Sequence, residues 1–187
     1  MSENRYCKDP IFESNTLLPI MDNKKNKRLF LDDVIWILNK YDNHMRHCTL
    51  EVHVDGSCNH QNNIGAWAIV SNSFSESGII EADNIGHVEL YAVYKALLKV
   101  QGCYGKVIIY TDSQYVYSNV NWKCKEYESL GWKSKGWRKR IPNKRLLQKI
   151  VPLMKTNIRV EKINRRNNKC ADNLARKTMK EHTHKIR

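Results

Sequence analysis

From residue 49 onward the chain is predicted to adopt an α/β fold in which three antiparallel strands precede parallel ones, and three observations carry that prediction. Thr49 to Ser57 alternates apolar Leu50, Val52 and Val54 with polar Glu51, His53 and Asp55, the period of a half-buried strand. Lys106 to Thr111 (KVIIYT) contains a continuous apolar run, as a strand covered on both faces requires. Between them, across His87 to Gln101, Leu90, Val93, Leu97 and Val100 recur every three or four positions, the pattern of a crossover helix.

The elements follow in order. Residues 1–48 carry eight basic and seven acidic residues, no Gly, and the polar run from Asp22 to Arg28, and are expected to form a loosely ordered extension. Within it Leu31, Val34, Ile35 and Leu38 lie at helical spacing between Leu29 and Tyr41, with Asp32 and Asp33 near the end where the helix dipole favours acids. One short helix is expected there. His44, His47 and Cys48 lack a second ligand pair at finger spacing and are not read as a zinc site. The strand over Thr49 to Ser57 is expected to end at Asp55, with Gly56 turning the chain. Gly65 to Val70 and Ser77 to Glu81, joined by polar turns, complete the antiparallel set. The helix that follows carries Glu89 near its start. KVIIYT, parallel to the first strand, delivers Asp112 to its own end, and Ser113 is the expected N-cap of the next helix.

Residues 122–149 hold ten Lys and Arg against Glu126 and Glu128, interleaved with Trp122, Trp132 and Trp137. Such a segment suits a groove that follows a phosphate backbone, although at least one tryptophan is expected only to pack. Leu146 to Met154 resumes an amphipathic pattern. Asn157 to Ile163 reads as a last strand, and Asn173 to Lys180 as a closing helix preceded by Asp172 and followed by a basic tail.

The 187 residues suit one domain with an appendage. Thirty-two Lys and Arg against 19 Asp and Glu leave a net charge of +13, which argues for a polyanionic partner, most economically nucleic acid. No apolar run is long enough to span a membrane, and the N-terminus lacks the order of a secretory signal, so an intracellular protein of cytoplasm or nucleus is expected. The six cysteines, with no C-x-x-C pair, read as reduced thiols with no disulfide-linked partner.

If Asp55 and Asp112 end neighbouring parallel strands, they can meet Glu89 and Asp172 at the sheet's carboxyl edge, where open α/β sheets place their sites. Crowded carboxylates raise each other's pKa, and an all-oxygen set answers that conflict best with two Mg²⁺ ions, or Mn²⁺ in their stead. The motifs VDGS (54–57), VELYAVYKAL (88–97), YTDSQYV (110–116), GWK (131–133) and NKCADNLAR (168–176) together resemble the type 1 ribonuclease H family over about residues 49–181. The resemblance implies a five-stranded mixed sheet flanked by helices. It also implies two Mg²⁺ ions held by Asp55, Glu89, Asp112 and Asp172, and cleavage of the RNA strand of RNA/DNA hybrids to leave 3'-hydroxyl and 5'-phosphate ends. Residues 122–149 look like the family's basic handle, so nucleic-acid contacts are expected from Trp122, Trp132, Lys133, Lys139 and Arg140.

Sparing DNA requires sensing the RNA 2'-hydroxyl. Gly56 and Ser57, through their backbone, and Gln114, through its amide, are the expected sensors. Two departures stand out. Asn84-Ile85-Gly86-His87-Val88-Glu89 replaces the paired-asparagine sequence usual before the helix glutamate, and the loop Ile163 to Lys169 is short and lacks the usual histidine. The latter resembles a short-loop branch of the family with arginine at about Arg165, which is expected to assume part of the histidine's work. Nothing in residues 1–48 resembles the hybrid-binding domain of many cellular members, and a monomer is expected. The alternatives are a non-catalytic hybrid-binding module and a nuclease of the same fold acting on another nucleic-acid structure such as branched DNA.

Overall fold

The computed structural model describes residues 49–103, 105–133 and 140–185, all within the unit Thr49–Arg187. The expected extension with its short helix, His44, His47 and Cys48, and also Trp137 and Lys139, lie outside the described residues. Five strands form one sheet: β1 (Thr49–Asn59), β2 (Ile64–Ser71), β3 (Ser75–Glu81), β4 (Lys106–Thr111) and β5 (Ile158–Lys162). Their order is β3-β2-β1-β4-β5. The β1/β2 and β2/β3 pairs are antiparallel, and the β1/β4 and β4/β5 pairs are parallel, which is the mixed sheet expected. The helices are α1 (Ile85–Lys99), α2 (Gln114–Ser118), α3 (Cys124–Ser129), α4 (Lys144–Ile150) and α5 (Lys169–Lys185). A π-turn (Asn119–Lys123) joins α2 to α3, and 3₁₀ turns occupy Val151–Leu153 and Arg165–Asn167.

Strand period decides which helix covers which face. A Cβ on Gly56 would lie 2.9 Å from Val88 of α1, so the face of Val52, Val54 and Gly56 is the α1 face. Its cross-strand neighbour Trp67 accordingly packs at a tilt against Tyr91 of the same helix. His53, one residue out of phase, instead meets Asn168 at the start of α5, and Thr178 of α5 bonds Ser77 on the same face. The sheet is therefore sandwiched between α1 and α5. Val52, Val54, Ile69, Leu90, Leu97, Val107, Ile109, Leu147 and Ile150 are fully buried. Each such side chain contributes about 1.5–3 kcal/mol relative to exposure.

Two expectations are corrected. Asp55 is not at a strand terminus, because β1 runs on to Asn59 in antiparallel register with β2. What ends near Asp55 is its parallel partner: the β1/β4 ladder stops at His53 opposite Tyr110. Gly56 consequently makes no turn. Its lack of a side chain serves close packing instead, since a Cβ there would also approach the Glu89 backbone nitrogen to 3.0 Å. Asp172, expected ahead of the closing helix, sits in the first turn of α5, which begins at Lys169 and continues through the expected tail to Lys185.

Candidate active site

The β1/β4 ladder ends at His53–Tyr110, and each of the two parallel chains carries an aspartate two residues further on: Asp55 within β1 and Asp112 just past β4. Asp112 follows the last residue of β4, and Ser113 caps α2 by accepting from the Val116 N–H at 3.3 Å. The Ser113 hydroxyl also donates to Glu89 Oε2 at 2.6 Å, which pins the helix carboxylate beside the end of β4. Asn84 caps α1 by accepting from the His87 N–H, so the helix starts two residues before the expected His87.

Electrostatics bind the four acids into one site. Burial, foremost, raises the Asp55 carboxyl to about 7 against the opposing Gly56 N–H, and the charges of Asp112, Asp172 and Glu89 push the same way. Glu89 is also raised, chiefly by burial; the Ser113 hydroxyl opposes this, Asp112 adds to it, and Arg165 opposes it. Each acid has its own partner. The Gly56 N–H reaches Asp55 Oδ1 at 2.7 Å, and the Asn168 amide reaches Asp112 Oδ1 at 3.2 Å. Arg165 and Arg176 both reach Asp172 Oδ1, at 3.3 and 3.0 Å. Among the described residues no three His, Cys, Asp or Glu side chains make a ready-built cage. The donor set is nonetheless all carboxylate oxygen, its like charge only partly offset by Arg165 and Arg176, which fits a hard divalent cation.

A cleft of about 400 Å³ beside the acids is lined by Gly56, Ser57, Arg165, Asp172, Arg176 and Lys180, among others. It brings two expected backbone sensors alongside Arg165. Gln114 is exposed on α2, its carbonyl accepting from Lys162 at 2.8 Å and its amide donating to Ser118 at 2.9 Å. In the basic segment the tryptophans divide. Trp122 is 56% exposed and stands edge-on to Tyr117, with ring centroids 4.8 Å apart. Trp132 is half-buried after α3, with φ of 60° and its ring 6.3 Å from Tyr127. Lys133 and Arg140 are exposed, and Lys139 is not among the described residues.

Sequence reasoning missed Arg176, Asn168, His53 and His87. The i,i+4 spacing of Arg176 from Asp172 was an available signal, as was the strand period that gives His53 the same face as Asp55. Asn168 and His87 offered none, because their partners are remote in sequence. His87 Nδ1 pairs with Asn143 Oδ1 at 2.9 Å, and the Asn143 amide donates to Tyr115 at 2.9 Å, tying α1 to the far end of the basic segment.

Comparison with known proteins agrees with this layout. A ribonuclease H from Hahella chejuensis is 36% identical over 93 residues, 47% of this chain; the match spans 62% of that relative's length. The foamy viral protease-reverse transcriptase in complex with dsDNA superposes with a TM-score of 0.62 at 23% identity, covering 72% of this chain and 96% of that one. The structure of the same viral protein in complex with RNA/DNA hybrid gives 0.60 at 20% identity, over 72% of this chain and 20% of that one. At such identity these two show the shared fold. The RNase H family profile matches residues 47–180, which hold the whole sheet and all four acids, and the chain belongs to the RNase H family.

Proposed function

We propose that this protein is a metal-dependent endoribonuclease that hydrolyses the RNA strand of RNA/DNA hybrids, leaving 3'-hydroxyl and 5'-phosphate ends. The observation that carries the reading is the convergence of four carboxylates from β1, α1, the end of β4 and α5, with Asp55 raised to about 7. Family membership and the hybrid-bound viral neighbour support the substrate class. Residues 49–181 form the catalytic unit in this reading, with 1–48 as an extension. One chain carries all four acids, so the site needs no second copy to be complete, and a monomer is the proposed working unit. Among the described residues the cysteines 58, 103, 124 and 170 are all free, which accords with an intracellular setting, and no described helix is long and apolar enough to cross a membrane.

Divalent metal use is general in the family. Two Mg²⁺ ions, or Mn²⁺ in their stead, held by Asp55, Glu89, Asp112 and Asp172 would supply Lewis-acid activation of water and stabilisation of the departing 3'-oxygen. The chain's own residues do the rest. The backbone at Gly56 and Ser57, on the cleft wall, and the Gln114 amide read the 2'-hydroxyl. Arg165, with most of its side chain in solvent, can exchange Asp172 for a phosphate oxygen and so attends product departure. Trp122, Trp132, Lys133, Lys139 and Arg140 hold the DNA strand, positioning without specifying.

Labelled hybrid, duplex DNA and duplex RNA incubated with Mg²⁺ test this reading. Wild type cuts only the hybrid, and Asp112→Asn binds it uncut. Wild type that binds hybrid without ever cutting would identify a binding module instead, and cutting of branched DNA in preference would reassign the substrate. Arg165→Ala is expected to slow turnover by about 10-fold or more, the loss of one charge-assisted contact. Unchanged turnover removes Arg165 from the mechanism.

A further inference from the structure

Three hydrogen bonds behind the carboxylates converge on one amide. Asn168 is 0% exposed, at the junction between the 3₁₀ turn Arg165–Asn167 and α5. Its nitrogen donates to the Val54 carbonyl at 2.9 Å and to Asp112 Oδ1 at 3.2 Å. Its oxygen meets His53 Nδ1 at 3.3 Å. Both amide hydrogens therefore face groups that only accept, and a flipped amide would set oxygen against two acceptors. The orientation is forced, and with it the histidine. An amide oxygen needs a donor, so His53 carries its proton on Nδ1. The ring is held in place by Tyr110, 5.1 Å away and directly opposite in the parallel ladder.

The consequence falls on Asp112. Val54 alone would satisfy one Asn168 hydrogen, and the second fixes Asp112 through Oδ1. Its other oxygen has no protein partner among the described residues. We propose that Asn168, held by His53, is a positioning residue that sets the rotamer of Asp112 and presents its second oxygen to the catalytic metal. The inference rests on the reading of Asp112 as a metal ligand. The His53 → Asn168 → Asp112 chain links β1, the start of α5 and the end of β4, so it also holds together the elements that deliver three of the four acids. Partners of this kind orient metal ligands, and their removal typically costs about 10–100-fold in metal affinity or activity.

The test titrates Mn²⁺ calorimetrically into the full chain and measures kcat and KM on hybrid for wild type, Asn168→Ala, His53→Phe, His53→Asn and the Asn168→Ala/His53→Phe double variant. Thermal unfolding without metal reports folding. Asn168→Ala is expected to weaken Mn²⁺ binding and lower kcat by about 10–100-fold with KM for hybrid within about twofold of wild type. His53→Phe keeps a ring against Tyr110 and loses part of both, and His53→Asn, whose amide can reach where Nδ1 stood, restores them. The double variant falls no further than Asn168→Ala, because both act through one chain. Should Asn168→Ala unfold below the assay temperature, the two His53 variants carry the test. Wild-type affinity and turnover in Asn168→Ala, or in His53→Phe, overturn the proposal. So does a double-variant loss equal to the product of the single losses. A wild type that binds no Mn²⁺ and cuts no hybrid removes the metal reading itself, a result distinct from variants that match an active wild type.

Discussion

Asp55 is where the cost of the site is concentrated. Only 6% exposed and within reach of the charges of three acids, it has its carboxyl raised to about 7 in the folded chain against an ordinary 3.8. Between those values the folded state holds a proton that the unfolded state has lost. The metal-free protein therefore loses stability as pH rises from about 4 to about 7, and the loss is complete above that window. Asp55→Asn keeps the shape and removes the charge. In chelator it is expected to be more stable than wild type by roughly 1–3 kcal/mol at pH 8 and by almost nothing at pH 4, read from denaturation midpoints at the two values. Added Mg²⁺ reverses the order at pH 8 by stabilising wild type alone. A stability difference independent of pH would mean that Asp55 is not buried against its neighbours.

At the scale of elements, α1 seats Glu89 only because two strands leave room for it. A Cβ on Gly65 would meet Val88 Cγ2 at 2.4 Å, whereas a Cβ on Gly56 would meet both Val88 Cγ1 at 2.9 Å and the Glu89 backbone nitrogen at 3.0 Å. Both alanine substitutions are expected to destabilise by about 1–3 kcal/mol through overpacking. In a Val88→Ala background they separate. The Gly65→Ala penalty largely disappears with the side chain it struck, and the Gly56→Ala penalty persists because backbone cannot be trimmed. Activity follows the same split, since displacement of α1 at Glu89 moves an acid. Urea midpoints and hybrid cleavage of the two glycine variants, Val88→Ala and the two double variants check both halves. The tryptophans differ in degree: Trp122 offers an open ring for a strand to stack on, and half-buried Trp132 packs against Tyr127 and offers the strand only its accessible part.

The molecule as a whole is strongly basic, yet the charge is unevenly spread. Residues 122–149 and 150–187 each carry a net +8, so the excess lies in the second half of the chain. The sheet end holds the acids, and the basic segment is inserted between β4 and β5. Affinity for hybrid should therefore be set by counterion release along that segment and catalysis by the acids, two separable quantities. Replacing Lys139 and Arg140 is expected to flatten the dependence of log K on log salt by up to about 0.9 per lost phosphate contact while leaving kcat at saturating hybrid unchanged. Filter binding across a salt series measures the slope, and an unchanged slope removes those residues from the interface.

What the sequence determined by itself was local or motif-bound. Strand and helix periods located every described strand and α1 to within a few residues, and motif spacing picked out Asp55, Glu89, Asp112 and Asp172. Those features were legible because strand and helix periods repeat within a few residues, and because each acid lies in a short conspicuous pattern. What only the tertiary structure decided depends on approach between remote segments. Gly56 looked like a turn residue and proved to be a seat for α1, because the deciding neighbour, Val88, is brought by a crossover helix. Asn168 and His53 looked like loop and strand filler, and they became partners across 115 residues once α5 began beside β1. Asp172 fell inside α5 because the helix starts directly after the 3₁₀ turn. Periodicity reports how a segment relates to solvent and core, and it carries no information on which distant side chain completes a buried hydrogen bond.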